Sequence, residues 1–289
     1  MTASQKGFLL GFLGVALFAL TAPVTKLATL TPTFPGLPPV FISFGRAAAA
    51  GMLAILYLLV IRAAWPSRAQ ALRLILAGAG IVIGFPLFLG LAVQHVDSVH
   101  AAVISGALPL GTAALTALWM RERARPAFWA LAVLGFLLVL LYAWLTGEGG
   151  FVAADGLLLL AVLSASCGYV LGARLSREMP PEQVISWILV LYLPLTIPVS
   201  ALTWPQGEVA PVAWLSFAYL AIVSMWLGFF AWYRGLKLGG ALRVSQTQLA
   251  QPFLSMLAAA PLLGERITPL SLVFAAAIVA TIAVSRRIR

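Results

Sequence analysis

Ten apolar runs, each near twenty residues, succeed one another along the whole chain, at roughly 7–29, 38–61, 71–93, 97–119, 127–146, 153–174, 183–203, 211–233, 241–263 and 267–285. A helix of about 20 apolar residues crosses the hydrocarbon core of a bilayer. Only helices and closed barrels can do so, because lipid offers backbone N–H and C=O groups no partners. Of the 289 residues, 62% are hydrophobic and only 9% charged. Soluble domains carry about 25% charged residues, and no soluble fold could hide this much apolar surface. The predicted class is an all-α polytopic membrane protein with ten transmembrane helices. Pro126 and Pro269 suit first helical turns, and GEGG at 147–150 reads as a turn between spans. The first run is too long for a signal-peptide core and has no clear small-residue cleavage site, so it counts as a span. The single Cys167 excludes an internal disulfide framework and a cysteine-based metal cluster.

The net charge of +10 could suggest nucleic acid as a partner, but its distribution argues otherwise. Placing the N-terminus inside puts Lys6, Arg62, Arg68, Arg73, Arg121, Arg123, Arg125, Arg174, Arg177, Arg234, Lys237, Arg243, Arg286, Arg287 and Arg289 on that side. The opposite side receives Lys26 and Arg266, while Arg46 lies inside the second run. Under the positive-inside rule both termini are expected in the cytoplasm, with the chain multi-pass in the cell's inner (cytoplasmic) membrane.

The phrases WMRERARP (119–126) and LLGERITP (262–269) repeat, and their glutamates Glu122 and Glu265 are 265 − 122 = 143 positions apart. Pro109 and Pro252 keep the same offset, as do ISF at 42–44 and ISW at 185–187. The chain therefore divides into two five-span halves, 1–148 and 149–289. An odd number of spans inverts the second half relative to the first. Inverted repeats are the architecture of secondary transporters, since a site between mirrored halves can open to either side.

Two five-span halves, each ending its fourth helix with a proline and then a glutamate–arginine pair, resemble the EamA family of the drug/metabolite transporter superfamily. Within it the chain is similar to YddG-type exporters of aromatic and other neutral amino acids. The resemblance covers essentially the whole chain, although Met120–Arg121 stands where LLGERITP has its glycine. It implies a central cavity lined by the third, fourth, eighth and ninth helices, with contributions from the first and sixth.

The stretch RVSQTQLAQP (243–252) opens the ninth run with three glutamines, and a buried amide without a partner costs about 2 kcal/mol or more in an apolar medium. Helical spacing puts Gln248, Gln251 and Ser255 on one face beside Pro252, with Gln246 on a neighbouring face. The 143-residue offset maps Gln248 onto Ser105 and Pro252 onto Pro109. A proline frees one helical carbonyl, so two mirrored prolines flanked by polar residues suit a midplane substrate site. Interhelical hydrogen bonding is the other reading for these side chains. Phe85, Tyr169 and Trp226 lie deep enough in their runs to wall an apolar subsite. Trp65, Trp204, Trp214 and Tyr233 read as interfacial residues. Arg46 and Lys26 could meet a substrate carboxylate in an outer vestibule, or Arg46 could serve structure alone. His100 could sense pH or gate the outer mouth. Gly80 and Gly84 form a GxxxG that suits close packing of the third helix.

No Asp or Glu falls near the middle of any run, which points to facilitated transport rather than ion coupling. No catalytic pair, phosphate loop or metal-ligand cluster is apparent, so neither enzymatic activity nor a cofactor nor a metal is expected. The expected partners are an amino-acid-like small molecule and the lipid bilayer, with no nucleic acid, and the expected assembly is a monomer or weak homodimer. Rival readings are a proton-coupled exporter of drugs, nucleotide sugars or lipid-linked sugars, a membrane-embedded enzyme, and a receptor or scaffold.

Overall fold

The computed structural model describes residues 2–29, 36–119, 126–146, 151–239 and 244–288. Among them every element is helical and none is a strand. Seven stretches are long and apolar enough to cross a bilayer. They are α1 (Ala3–Thr29), α2 (Pro39–Val60), α3 (Arg68–Ala92), the apolar part of α5 (Pro126–Thr146), α6 (Ala153–Leu175), α7 (Pro181–Leu202) and α8 (Pro211–Gly239). Three shorter or broken elements complete the order: α4 (Ser98–Ser105, then Leu108–Trp119), α9 (Ser245–Ala250, then Gln251–Leu263) and α10 (Pro269–Ile288).

Local chemistry explains the ends. The N-terminus of α1 is closed by a reciprocal pair in which Gln5 N–H donates to Thr2 Oγ1 at 3.2 Å and Thr2 N–H to Gln5 Oε1 at 2.9 Å. Ser67 and Gln70 repeat the device at α3. Pro39, Pro181 and Pro211 occupy first turns, where a missing N–H costs nothing. Helix α9 ends at Gly264, whose φ of +68° turns the chain sharply back just before Glu265.

Five interruptions depart from the ten continuous runs expected. Helix α1 breaks at Leu20, between Ala19 and Thr21. Helix α4 breaks at 106–107, and α9 begins as a 3₁₀ turn before becoming α-helical at Gln251. Pro109 and Pro252 each take the second position of the restarted helix, so both mirrored prolines mark a restart rather than a bend in mid-helix. Helices α3 and α8 pass through π-helical segments at Ala79–Gly84 and Tyr219–Leu227, which overlap at the 143-residue offset. Helix α8 also runs to Gly239, beyond the expected end at 233.

Helices pack in a cross-paired order, α1 with α8, α6 with α3, and α2, α4 and α5 with α7, α9 and α10. Burial of apolar surface cannot drive this in lipid, so close backbone approach and interhelical hydrogen bonds must. At α1–α8 a Cβ on Gly7 would strike the backbone of Gly239, and one on Gly235 that of Gly11. Gly80 and Gly84 meet Ser164 of α6, which makes the GxxxG contact intramolecular. Tyr233, expected at an interface with water, is instead 0% exposed beside Phe229 and Gly172.

Candidate substrate cavity

Two adjoining cavities open where these interruptions converge. They share Phe18, Thr21, Phe85 and Gln251 on their walls, which makes them parts of one chamber. The first is completed by residues that include Ser105, Leu108, Pro252 and Ser255, and the second by Arg46, Ile81, Tyr169, Ser224, Met225 and Phe229. The walls come from both halves. Leu108 and Gln251 stand at equivalent positions in the repeat, as do Ile81 and Ser224.

The chamber is lined by broken helices, and the breaks give it polarity. Pro109 has no N–H to offer the carbonyl of Ser105, nor Pro23 that of Ala19, so helical bonding is lost at two lining residues. Thr21 and Ser224 bridge α1 and α8 through a 2.8 Å hydroxyl contact on the wall. The hydroxyl of Tyr219 donates to Leu17 O at 2.8 Å, in the turn before the break of α1.

Of the residues expected to bind substrate, Gln251, Ser105, Tyr169 and Phe85 are brought together on these walls. Gln248 is buried, at 3% exposure, but lines neither cavity. It belongs to the 3₁₀ turn that precedes Gln251. The side chain of Gln246 lies outside the described ones. Trp226 also lines neither cavity; it packs against Tyr57 and Phe230 and donates to Ser186 Oγ at 3.0 Å. It sits inside the π segment of α8, and Ser224, Met225 and Phe229 take the cavity face. Phe18, Thr21, Met225 and Ser224 were not singled out by sequence; the offset linking Ser224 to Ile81 was the available signal.

The residues expected at the vestibule separate into two groups. Arg46 lines the second cavity itself, whereas Lys26 sits at one end of the bundle. Lys26 Nζ lies 2.7 Å from Asp97 Oδ1 and 3.0 Å from Glu265 Oε1, and donates to Val96 O at 3.1 Å. Glu265 in turn accepts the backbone N–H groups of Ser98 and Val99, each at 2.9 Å, and so caps α4. One glutamate thereby ties α1, α4 and the turn after α9 together. Beside it, His100 Nε2 meets Asp155 Oδ1 at 2.7 Å and its Nδ1 meets Thr146 Oγ1 at 3.0 Å. The other glutamate of the repeat, Glu122, lies outside the described residues.

The family model for EamA-like transporters matches the chain twice, at 5–144 and 152–287. An uncharacterized transporter, YdeK of Bacillus subtilis, is 40% identical over 289 residues, covering 99% of both chains. The aromatic amino acid exporter YddG of Ancylobacter novellus is 28% identical over 86% of each chain. A probable amino-acid metabolite efflux pump of Salmonella typhimurium is 29% identical over 71% of this chain and 74% of its own. A crystal structure 22% identical in sequence, covering 98% of this chain and 99% of its own, superposes with a TM-score of 0.66 and shares the fold. With two matches that together span nearly its whole length, this multi-pass membrane protein belongs to the EamA-like transporter family.

Proposed function

We propose that the protein exports small neutral metabolites, aromatic and other neutral amino acids foremost, across the cytoplasmic membrane by facilitated alternating access. In this reading all ten helices cross the bilayer and both termini are cytoplasmic, as the distribution of Lys and Arg favours. The end marked by Lys26 and Glu265 is then the outer one. The observation that carries the proposal is the chamber. It draws equivalent positions of the two halves to one depth, mixes amide and hydroxyl groups with phenyl rings, and is lined by broken helices. Gln251 and Ser105 would hold polar groups, while Phe85, Tyr169 and Phe229 would hold an apolar side chain. Neither cavity has an acidic residue on its wall, which favours movement down a gradient over proton or sodium coupling. The names of the exporter and the efflux pump among its relatives support the substrate class.

The test is counterflow in proteoliposomes preloaded with unlabelled amino acids, without a pH gradient. Labelled aromatic or other neutral amino acids should accumulate transiently, and Gln251→Ala should slow their entry about tenfold, as loss of a substrate hydrogen bond would. A panel that shows no counterflow with any amino acid rejects the reading.

A further inference from the structure

Arg46 is 2% exposed in α2, yet its Nε has no hydrogen-bond partner, and no hydrogen bond or ion pair to its guanidinium occurs among the described residues. A charge inside a membrane bundle is normally paired, because leaving it bare is among the costliest arrangements a fold can hold. The described acids are engaged elsewhere or far from it. Asp97 and Glu265 hold Lys26, Asp155 holds His100, Glu178 holds Arg73, Glu182 faces Arg234, and Glu208 is exposed. Arg46 nevertheless stands on the chamber wall with Thr21, Tyr169, Ser224 and Gln251.

Resting on the transport reading and deepening it, we propose that Arg46 is the carboxylate-binding residue of the chamber, so that the cargo carries its own counter-charge. The guanidinium is planar and permanently charged, and its fork matches a carboxylate with two parallel hydrogen bonds. The rest of the wall specifies what the carboxylate is attached to. Phe18, Phe85, Phe229 and Met225 surround an apolar or aromatic body. An ammonium group on the same molecule meets neutral acceptors only, namely the amide oxygen of Gln251 and the carbonyl of Ala19 that Pro23 cannot serve, together with ring faces. The carboxylate is therefore the required feature of the cargo and the amine a tolerated one.

The experiment measures ligand-induced thermal stabilisation of the full-length carrier in detergent. The probes are L-phenylalanine and 3-phenylpropionate against L-phenylalaninamide and 2-phenylethylamine, with chloride and inorganic phosphate as separate arms. The two acids should raise the melting temperature saturably, while the amide and amine should bind about tenfold more weakly or worse, the loss expected for a charge-assisted pair. Arg46→Gln should abolish the acid preference and Arg46→Lys should keep part of it. Equal stabilisation by acid and amide, retained preference in Arg46→Gln, no shift with either acid, or an equal shift with chloride or phosphate alone each overturns the proposal. The comparison within the unsubstituted protein decides the matter even where Arg46→Gln does not fold. Counterflow of solutes regardless of a carboxylate would sink Arg46's role and leave transport standing. Acid-selective binding without counterflow of any solute would do the reverse.

Discussion

Asp155 is 2% exposed at the start of α6, where it meets His100 at 2.7 Å and accepts the Val152 N–H at 3.0 Å, while Thr146 holds the far side of the imidazole. A carboxylate only accepts, so Nε2–H is the donor to it. Removing one partner of a buried pair strands the other, so Asp155→Leu and His100→Leu should each lower stability by about 3 kcal/mol. The double variant His100→Leu/Asp155→Leu should cost less than the two together, and melting curves of the four proteins in detergent would show strict additivity if the pair were not coupled. At this scale the sequence was an uneven guide. Gln251, Ser105, Phe85 and Tyr169 were legible because unusual residue types at a set depth in an apolar run must answer to something polar or hollow. Gln248 and Trp226 were expected on the walls and lie off them, since depth follows from counting residues while facing follows from the local turn. His100's partner was invisible for another reason. Asp155 is 55 positions away, and no short-range pattern links them.

That dependence of facing on the turn is a property of elements. Each residue in a π segment advances less around the axis than in an α-helix, and a one-residue insertion rotates everything beyond it by roughly 100°. Helices α3 and α8 both carry such segments beside the chamber, so an α-helical projection of either misassigns its walls. Their presence leaves no mark on the hydropathy pattern; the helix restarts at Pro109 and Pro252, by contrast, were announced by the prolines. Glycine spacing foretold close packing but not the partner. The α1–α8 contact makes the consequence testable, because the side chain in Gly235→Leu would enter the backbone of Gly11. Overpacking of this kind costs about 1–3 kcal/mol, and the fraction of monodisperse protein after extraction should fall accordingly. A second inter-element tie lies at the ends of two runs, where Arg73 Nη2 near the start of α3 donates to Glu178 Oε2, after α6, at 2.9 Å. The hydrogen bonds from Arg73 hold the Glu178 carboxyl below its ordinary value of 4.5. A carboxylate depressed in the folded state stabilises above its unfolded value and ceases to do so as pH falls through the folded one. The melting temperature of Arg73→Ala should therefore lie slightly below that of the parent at pH 7, with the gap closing below about pH 4; a gap independent of pH would dissociate the pair from stability.

For the whole molecule, the decisive feature is a cluster of polar contacts at one end of the bundle with Glu265 at its centre. Glu265 reaches two backbone N–H groups at the start of α4 and the ammonium of Lys26 at the end of α1, while Gly264 supplies the turn that aims it. The chamber lies between the same helices, so α1 and α4 cannot part at that end while the glutamate holds both. Replacing the carboxylate by an amide leaves the size unchanged but removes the charge that attracts Lys26 and the helix N-terminus. The loss is about 2 kcal/mol, or roughly thirtyfold in the ratio of closed to open molecules at that end. A cysteine at Ala22, on the chamber wall, reports the change once Cys167 is replaced by serine. With Glu265→Gln added, a membrane-impermeant thiol reagent applied to the face that bears Lys26 should label Cys at that position about tenfold faster or more. Asp97→Asn should alter the rate little, because Asp97 is 71% exposed and its pairing with Lys26 is screened by water. Unchanged labelling in Glu265→Gln, or faster labelling only from the opposite face, would mean that the glutamate braces the fold without governing access to the chamber.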